Sequence, residues 1–360
     1  MKKHYFAITL LILSVFAVFL SCGSDDSSEY KELSPVVMDL STVPYPKLSD
    51  YKFFVGEMKN LEPAYKVVPY DLNSSLFTDY ALKKRFVWMP EGAKANYSSD
   101  GETLEFPIGA ALIKNFYYDN VLPDNVTRII ETRIMIKKAD GWIFANYVWN
   151  SEQTEAFLDM NSSNISVSWM QNGEEMAVNY KIPSGNDCAT CHYNSNKYTP
   201  IGTKPQNLFK DFNYASGVKN QLLKWKEEGY LSEVPANVLA TANWEDTAIS
   251  LEKRARSYLD INCAHCHRPG GSCDDMPINF AFNATTNPVN LGVCVEPHDF
   301  VSGSQEYIIE AQNGLNSLIY FKMISRKQEE MMPPVGRTSS HSEGAQLMLE
   351  WIDSMEQPCP

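Results

Sequence analysis

The sequence predicts an α+β protein: a β-rich N-terminal domain followed by a mainly α-helical region that runs to the C-terminus. Three observations carry this. Turn dipeptides Asp140-Gly141 and Asn172-Gly173 each separate two runs rich in β-branched and aromatic residues, the pattern of hairpins. Beyond residue 185 the apolar residues recur at helical spacing instead. The 360 residues are 44% hydrophobic and 21% charged, ordinary for globular chains, and this excludes a disordered, collagen-like or coiled-coil architecture.

The elements follow in chain order. Lys2 and Lys3 precede an apolar stretch from Tyr5 to Leu20, of signal-peptide length and short for a spanning helix. It ends in Phe19-Leu20-Ser21-Cys22, which resembles a bacterial lipobox although Phe19 stands where Leu is usual. Residues 1–21 are thus read as a lipoprotein signal peptide, with Cys22 lipidated. Residues 22–34 are an acidic flexible tether, similar to the stretch after the lipidated Cys in surface-exported lipoproteins. This implies an outer-membrane lipoprotein, facing the periplasm or the cell surface, held to the membrane through Cys22. Residues 35–185 form the β-rich domain, with Arg128–Lys137 against Trp142–Trp149 and Ile165–Gln171 against Glu174–Ile182. Asp100-Gly101 marks a third hairpin between Ala95–Ser99 and Glu102–Phe106. In 186–245 a helix is expected over Ala215–Glu228, with Gly229 as its C-cap. In 246–360, Ser250–Ile261 and Gln346–Met355 have one apolar face each and read as helices joined by a long Gly/Asn/Pro-rich loop, 269–297. A net charge of −13 argues against a nucleic-acid partner, which would need surplus Lys and Arg.

Two motifs carry the chemistry. Cys188-Ala189-Thr190-Cys191-His192 and Cys263-Ala264-His265-Cys266-His267 are both C-x-x-C-H, the spacing of c-type haem attachment. Two thiols on a short spacer reach the two vinyl groups on one edge of a porphyrin. The adjoining His turns under the ring and offers nitrogen to the iron. A redox dithiol does not need a His after both copies, and a zinc site built from both motifs is the other alternative. Segments 186–245 and 246–360 are therefore expected to carry the first and second of two covalent haem c groups, with His192 and His267 as iron ligands.

Met332, directly before Pro333-Pro334, is the expected second ligand of the second haem, with Met331 as the alternative. For the first haem there is neither Met nor His between His192 and Cys263, so a distal group must come from Met160, Met170, Met176, Met276, His298 or His341, or be absent. His265 reads as a solvent-side spacer. A disulfide between Cys273 and Cys294 is expected in an oxidising compartment, and Cys359 has no assigned role. No catalytic residue is identifiable.

A helix ending in C-x-x-C-H, a Met-Pro loop and a C-terminal helix resemble a class I cytochrome c domain over 246–360. The stretches Tyr70-Asp71-Leu72-Asn73, Leu76-Phe77-Thr78-Asp79-Tyr80-Ala81, Trp88-Met89-Pro90, Ile130-Glu131-Thr132-Arg133, Tyr147-Val148-Trp149-Asn150 and Asn262–Gly270, with Met332-Pro333 and Glu350-Trp351-Ile352, are similar to a family of bacterial dihaem c-type cytochromes of unsettled role. The resemblance implies haem binding and electron transfer with a redox partner protein, and names no substrate. The alternatives are a dihaem peroxidase-like enzyme with an open first haem, a cytochrome subunit of a periplasmic dehydrogenase, and carbohydrate binding by the aromatic β-rich domain.

Overall fold

A computed structural model describes residues 32–298 and 305–360. The signal peptide, Cys22 and most of the tether lie outside the described residues. Residues Pro35–Pro360 form one compact unit. Among the described residues no helix is long and apolar enough to cross a membrane.

A small ribbon, β1 (Phe54–Val55) and β2 (Glu62–Pro63), precedes an eight-stranded antiparallel sheet. Its strands are β3 (Val68–Tyr70), β4 (Leu82–Trp88), β5 (Ala111–Val121), β6 (Val126–Lys138), β7 (Gly141–Trp149), β8 (Ala156–Leu158), β9 (Ser163–Gln171) and β10 (Glu174–Ile182). The order β10-β9-β5-β6-β7-β8 forms the main path, with β4 also paired to β5 and β3 to β4. Asp140-Gly141 and Asn172-Gly173 do turn β6 into β7 and β9 into β10. Asp100-Gly101 does turn the chain, but only a single bridge, Asn96 to Glu105, forms across it.

The long central strands are buried on both faces, which explains their near-continuous apolar runs. One face, with Phe86, Ile113, Ile134 and Tyr147, packs on the N-terminal segment through Leu48, Tyr51 and Phe53. The other, with Val87, Leu112, Met135 and Trp142, packs on Leu208, Leu222, Trp225 and Ile261. The sheet and the segment after residue 185 therefore share one core.

After the sheet come α1 (Gly185–His192), the ribbon β11 (Tyr193–Asn194) and β12 (Lys197–Tyr198), and α2 (Pro205–Leu208). The helix expected from Ala215 is a hairpin followed by a shorter helix: β13 (Asp211–Tyr214), β14 (Gly217–Asn220) and α3 (Gln221–Glu227). Gly217, at φ 107, lets the chain reverse. Asn220 caps α3 through its side chain. Val218, expected on the buried helix face, is 69% exposed, whereas Leu222 and Trp225 are fully buried.

The C-terminal part holds α4 (Leu251–Asn262), α5 (Leu318–Ile324) and α6 (Ser342–Asp353). Ser250 caps α4 by accepting from the Lys253 N–H. α4 and α6 pack through Ala255, Tyr258, Leu259, Leu347, Trp351 and Ile352. At their crossing a Cβ on Gly344 would meet the Tyr258 hydroxyl at 2.3 Å, so only glycine fits there.

The disulfide expectation is corrected. Cys294 pairs with Cys359, not with Cys273. The C-terminal tail folds back because Gln312 Nε2 donates to the carbonyls of Met355 and Glu356 at 3.0 and 2.9 Å. This carries Cys359 to the Ile309–Ala311 segment, which bridges to Val293 beside Cys294. Cys273 is instead held at the second motif, its N–H donating to the Cys266 carbonyl at 3.2 Å.

Candidate functional site

The first motif occupies the short helix α1. Its start is fixed by a reciprocal cap: Ser184 Oγ accepts from the Asp187 N–H at 3.2 Å, and Asp187 Oδ2 accepts from the Ser184 N–H at 2.9 Å. The second motif begins where α4 ends, and its His267 N–H donates back to the Cys263 carbonyl at 3.0 Å.

Three links bring the two motifs together. Asp260, fully buried on α4, pairs with Lys204 at 3.0 Å and accepts from Asn207 Nδ2 at 3.3 Å. The Ser195 N–H, just after the first motif, donates to the Gly270 carbonyl just after the second at 2.8 Å. Phe77 N–H donates to Asn262 Oδ1 at 2.8 Å, which ties the sheet domain to the end of α4. As a result Cys191 and Cys266 line one and the same cavity.

Two cavities, and a cleft of about 40 Å³ beside Cys191, His192 and His265, open on the motifs. The larger, about 380 Å³, is lined by Cys263, Cys266, His267 and Met332 together with apolar side chains such as Ile278, Phe280, Leu318 and Met323. The smaller, about 140 Å³, is lined by Cys188, Cys191 and His192 and by the face of β5–β7. Phe77, Cys191, Asn262, His265, Pro333 and Val335 belong to both walls. The two cavities are therefore direct neighbours.

Both motif histidines are neutral. Burial pushes the His192 imidazole down to about 3 and that of His267 down to about 4. His192 Nδ1 lies 2.9 Å from the Thr199 carbonyl oxygen, which selects the tautomer protonated there and leaves Nε2 with a free lone pair. The Nδ1 atoms of His265 and His267 are buried without a protein partner. Burial raises the Cys188 thiol and pushes that of Cys263 up to about 12, so both are thiols rather than thiolates at neutral pH. Neutral imidazoles with a lone pair and paired thiols at each motif fit a covalently attached haem, the second cavity being mainly apolar and the first also carrying Lys114, Arg133 and Asn146. Among the described residues no three His, Cys, Asp or Glu side chains assemble a ligand set for a bare metal ion.

Met332 lines the cavity of His267, whereas Met331 is buried away from that wall. The Met332 loop is held rigidly. Arg337, 2% exposed, donates to the Met332 carbonyl from Nε at 3.2 Å and from an Nη at 3.0 Å. It also donates to the carbonyls of Ser339, Lys322 and Ser325 at 2.9, 3.0 and 3.0 Å. Asp79, from the sheet domain, accepts from the N–H and hydroxyl groups of both Thr338 and Ser339.

The candidates for the first haem separate clearly. Met276, His298 and His341 line the larger cavity, on the second motif. Met160 packs beneath Gly185 and accepts from the Asn146 N–H. Met170 and Met176 lie in the β9–β10 hairpin and line neither cavity. The wall nearest His192 carries Met135 and Lys114, which sequence reasoning missed. Their signal was their alternation along the strands, which read as sheet core. His265 is half-buried between the motifs and lines both cavities, so it is not a solvent-side spacer.

Comparison with protein-family models, curated proteins and solved structures finds no match for this chain.

Proposed function

We propose that this chain is an extracytoplasmic dihaem c-type cytochrome that moves electrons through two covalently bound haems. The observation that carries the reading is that two C-x-x-C-H motifs 75 residues apart, Cys188 to Cys263, line adjoining cavities with six wall residues in common. Such proximity suits electron exchange between the two groups. Cys188, Cys191 and His192 would hold the first haem, and Cys263, Cys266, His267 and Met332 the second. Each haem supplies a one-electron couple, and a thioether ligand raises its potential. The chain's own contribution is to keep His192 and His267 neutral, to fix the tautomer of His192 through Thr199, to exclude water with apolar walls, and to hold Met332 through Arg337.

The resemblance to bacterial dihaem cytochromes and to a class I cytochrome c domain over 246–360 belongs to this proposal. So do lipidation of Cys22, an outer-membrane location and a redox partner protein. The test is a covalent haem count on the purified protein with a carbon monoxide titration after full reduction. Two haems per chain support the reading, and Cys263→Ser should leave one. Two haems in that variant would overturn it. Met332→Ala should turn one haem high-spin, whereas Met331→Ala should not.

A second reading, an open first haem with peroxidase-like or other small-molecule chemistry, is favoured by one observation. Polar side chains from the sheet, not a thioether or imidazole from the expected candidates, line the cavity of His192. Gas binding by about one haem per chain would select it.

A further inference from the structure

Two rungs of the sheet face the cavity of the first motif. Strand register aligns Leu112 with Met135 and Met135 with Phe144, an apolar rung whose Phe144 ring lies 5.2 Å from the His192 ring. Two residues along each strand, about 6.8 Å further, register aligns Lys114 with Arg133 and Arg133 with Asn146. All six side chains line the same 140 Å³ cavity.

The second rung is unusual for a sheet interior. Like charges directly opposite each other on neighbouring strands destabilise a sheet, yet Lys114 stands opposite Arg133. The Arg133 guanidinium is paired with Glu131, itself fully buried and also hydrogen-bonded by the Tyr180 hydroxyl at 2.6 Å. Among the described residues no carboxylate is paired with the Lys114 amine, which lies 4.8 Å from the Phe116 ring centroid. Asn146, 1% exposed, has neither its side-chain Nδ2 nor its Oδ1 hydrogen-bonded, and Arg133 Nε is likewise buried and unpartnered among the described residues. Unsatisfied buried polar atoms are costly, and a native site retains them where a ligand completes them.

We infer that the Lys114–Arg133–Asn146 rung is a binding site for a small monovalent anion against the first haem. Burial and the neighbouring Arg85, Lys83 and Arg133 push the Lys114 amine well below its ordinary range, so a negative charge beside it would favour its charged form, and an acceptor oxygen or nitrogen would satisfy Arg133 Nε and the Asn146 side-chain amide at once. Arg133 and Asn146 line the same cavity as Cys188 and Cys191, where the thioether edge would attach, whereas a haem's own carboxylates stand on the opposite edge of the macrocycle. A separate anion is therefore the better occupant. The ligand class is a small anion with a lone pair for iron, of the kind represented by nitrite or azide.

The inference rests on the dihaem reading, and the experiment separates the two. Sodium nitrite and sodium azide are titrated into the oxidised full chain, following visible spectra, with a covalent haem count on each sample. The expected result is a saturable spectral change confined to about one haem. It should persist in Cys263→Ser and be weakened about tenfold or more in Lys114→Met and Asn146→Ala, the loss of one hydrogen bond to a charged group. Two haems with no spectral response, or wild-type affinity in both variants, overturn the inference and leave the dihaem reading intact. No response in the wild type together with a high-spin haem in Lys114→Met overturns it in favour of the amine as an internal ligand. A haem count of zero sinks the functional reading, and calorimetry of nitrite with the wild type and Lys114→Met then decides the site alone. A tenfold difference supports it and equal binding overturns it.

Discussion

Asp79→Ala should detach the Met332 loop from the sheet domain. The Asp79 carboxylate is 1% exposed and lies at the end of the sequence run that precedes β4. It accepts from the Thr338 N–H at 2.8 and 2.9 Å, the Ser339 N–H at 2.8 Å, and the two hydroxyls at 3.0 and 2.8 Å. Alanine leaves two backbone N–H groups with no acceptor. Each buried orphan costs about 1–3 kcal/mol, so the pair sets a range of about 2–6 kcal/mol. Thr338 and Ser339 are half-buried, so water reaches part of the gap, and the lower part of the range, about 2–4 kcal/mol, is the expected loss. Asp79→Asn keeps one acceptor oxygen and should lose about half as much. Urea unfolding reads the loss as a shift of midpoint at unchanged slope. Limited proteolysis should reveal new cleavage between residues 325 and 341 in the alanine variant. A shift worth less than about 1 kcal/mol, with the loop still protected, would refute the idea that this carboxylate anchors the loop.

Further outcomes follow from other contacts. Cys359→Ser opens a 65-residue covalent loop and should cost about 4 kcal/mol in urea unfolding on the chain-entropy estimate, while Cys273→Ser should leave the disulfide intact by mass spectrometry of alkylated peptides. Trp225→Ala empties a fully buried indole site between the sheet and α3 and should cost about 3–5 kcal/mol in the same assay. Burial pushes His341 down to about 4, against Glu343, which raises it. The folded chain keeps this ring neutral, while the unfolded chain takes up a proton near its ordinary value of about 6.5. Its stabilising effect is therefore present above about pH 6.5, is lost as the pH falls to about 4, and amounts to about 3 kcal/mol. Stability against pH for His341→Gln should be flatter than for the wild type by that amount across this window, and parallel curves would exclude the histidine as the source.

The sequence showed most where a local signal had one physical meaning. Asp140-Gly141 and Asn172-Gly173 demanded tight reversals, and both hairpins formed around them. Ser250 and the apolar spacing after it specified α4 nearly to the residue. Local periodicity failed at Ala215–Glu228. There the turn at Gly217 and the cap at Asn220 outweighed a helical pattern whose first member, Val218, had nothing to pack against. The cysteine pairing failed because proximity in sequence was the only guide. A tail folded back by Gln312 brought Cys359 to Cys294 from 65 residues away.

The same division holds at the site. The sequence by itself determined the two C-x-x-C-H motifs and the Met-Pro loop, since their chemistry resides in short fixed spacings that need no long-range contact to be read. Only the tertiary structure decided that the motifs adjoin through Asp260, Lys204 and Gly270, and that Met332 rather than Met331 faces His267's cavity. It also decided that Lys114, Arg133 and Asn146 stand in one rung beside His192. Those residues come from three strands, and no local pattern encodes which of their neighbours will be left without a partner. Register across a sheet, and the burial that packing imposes on it, set that outcome.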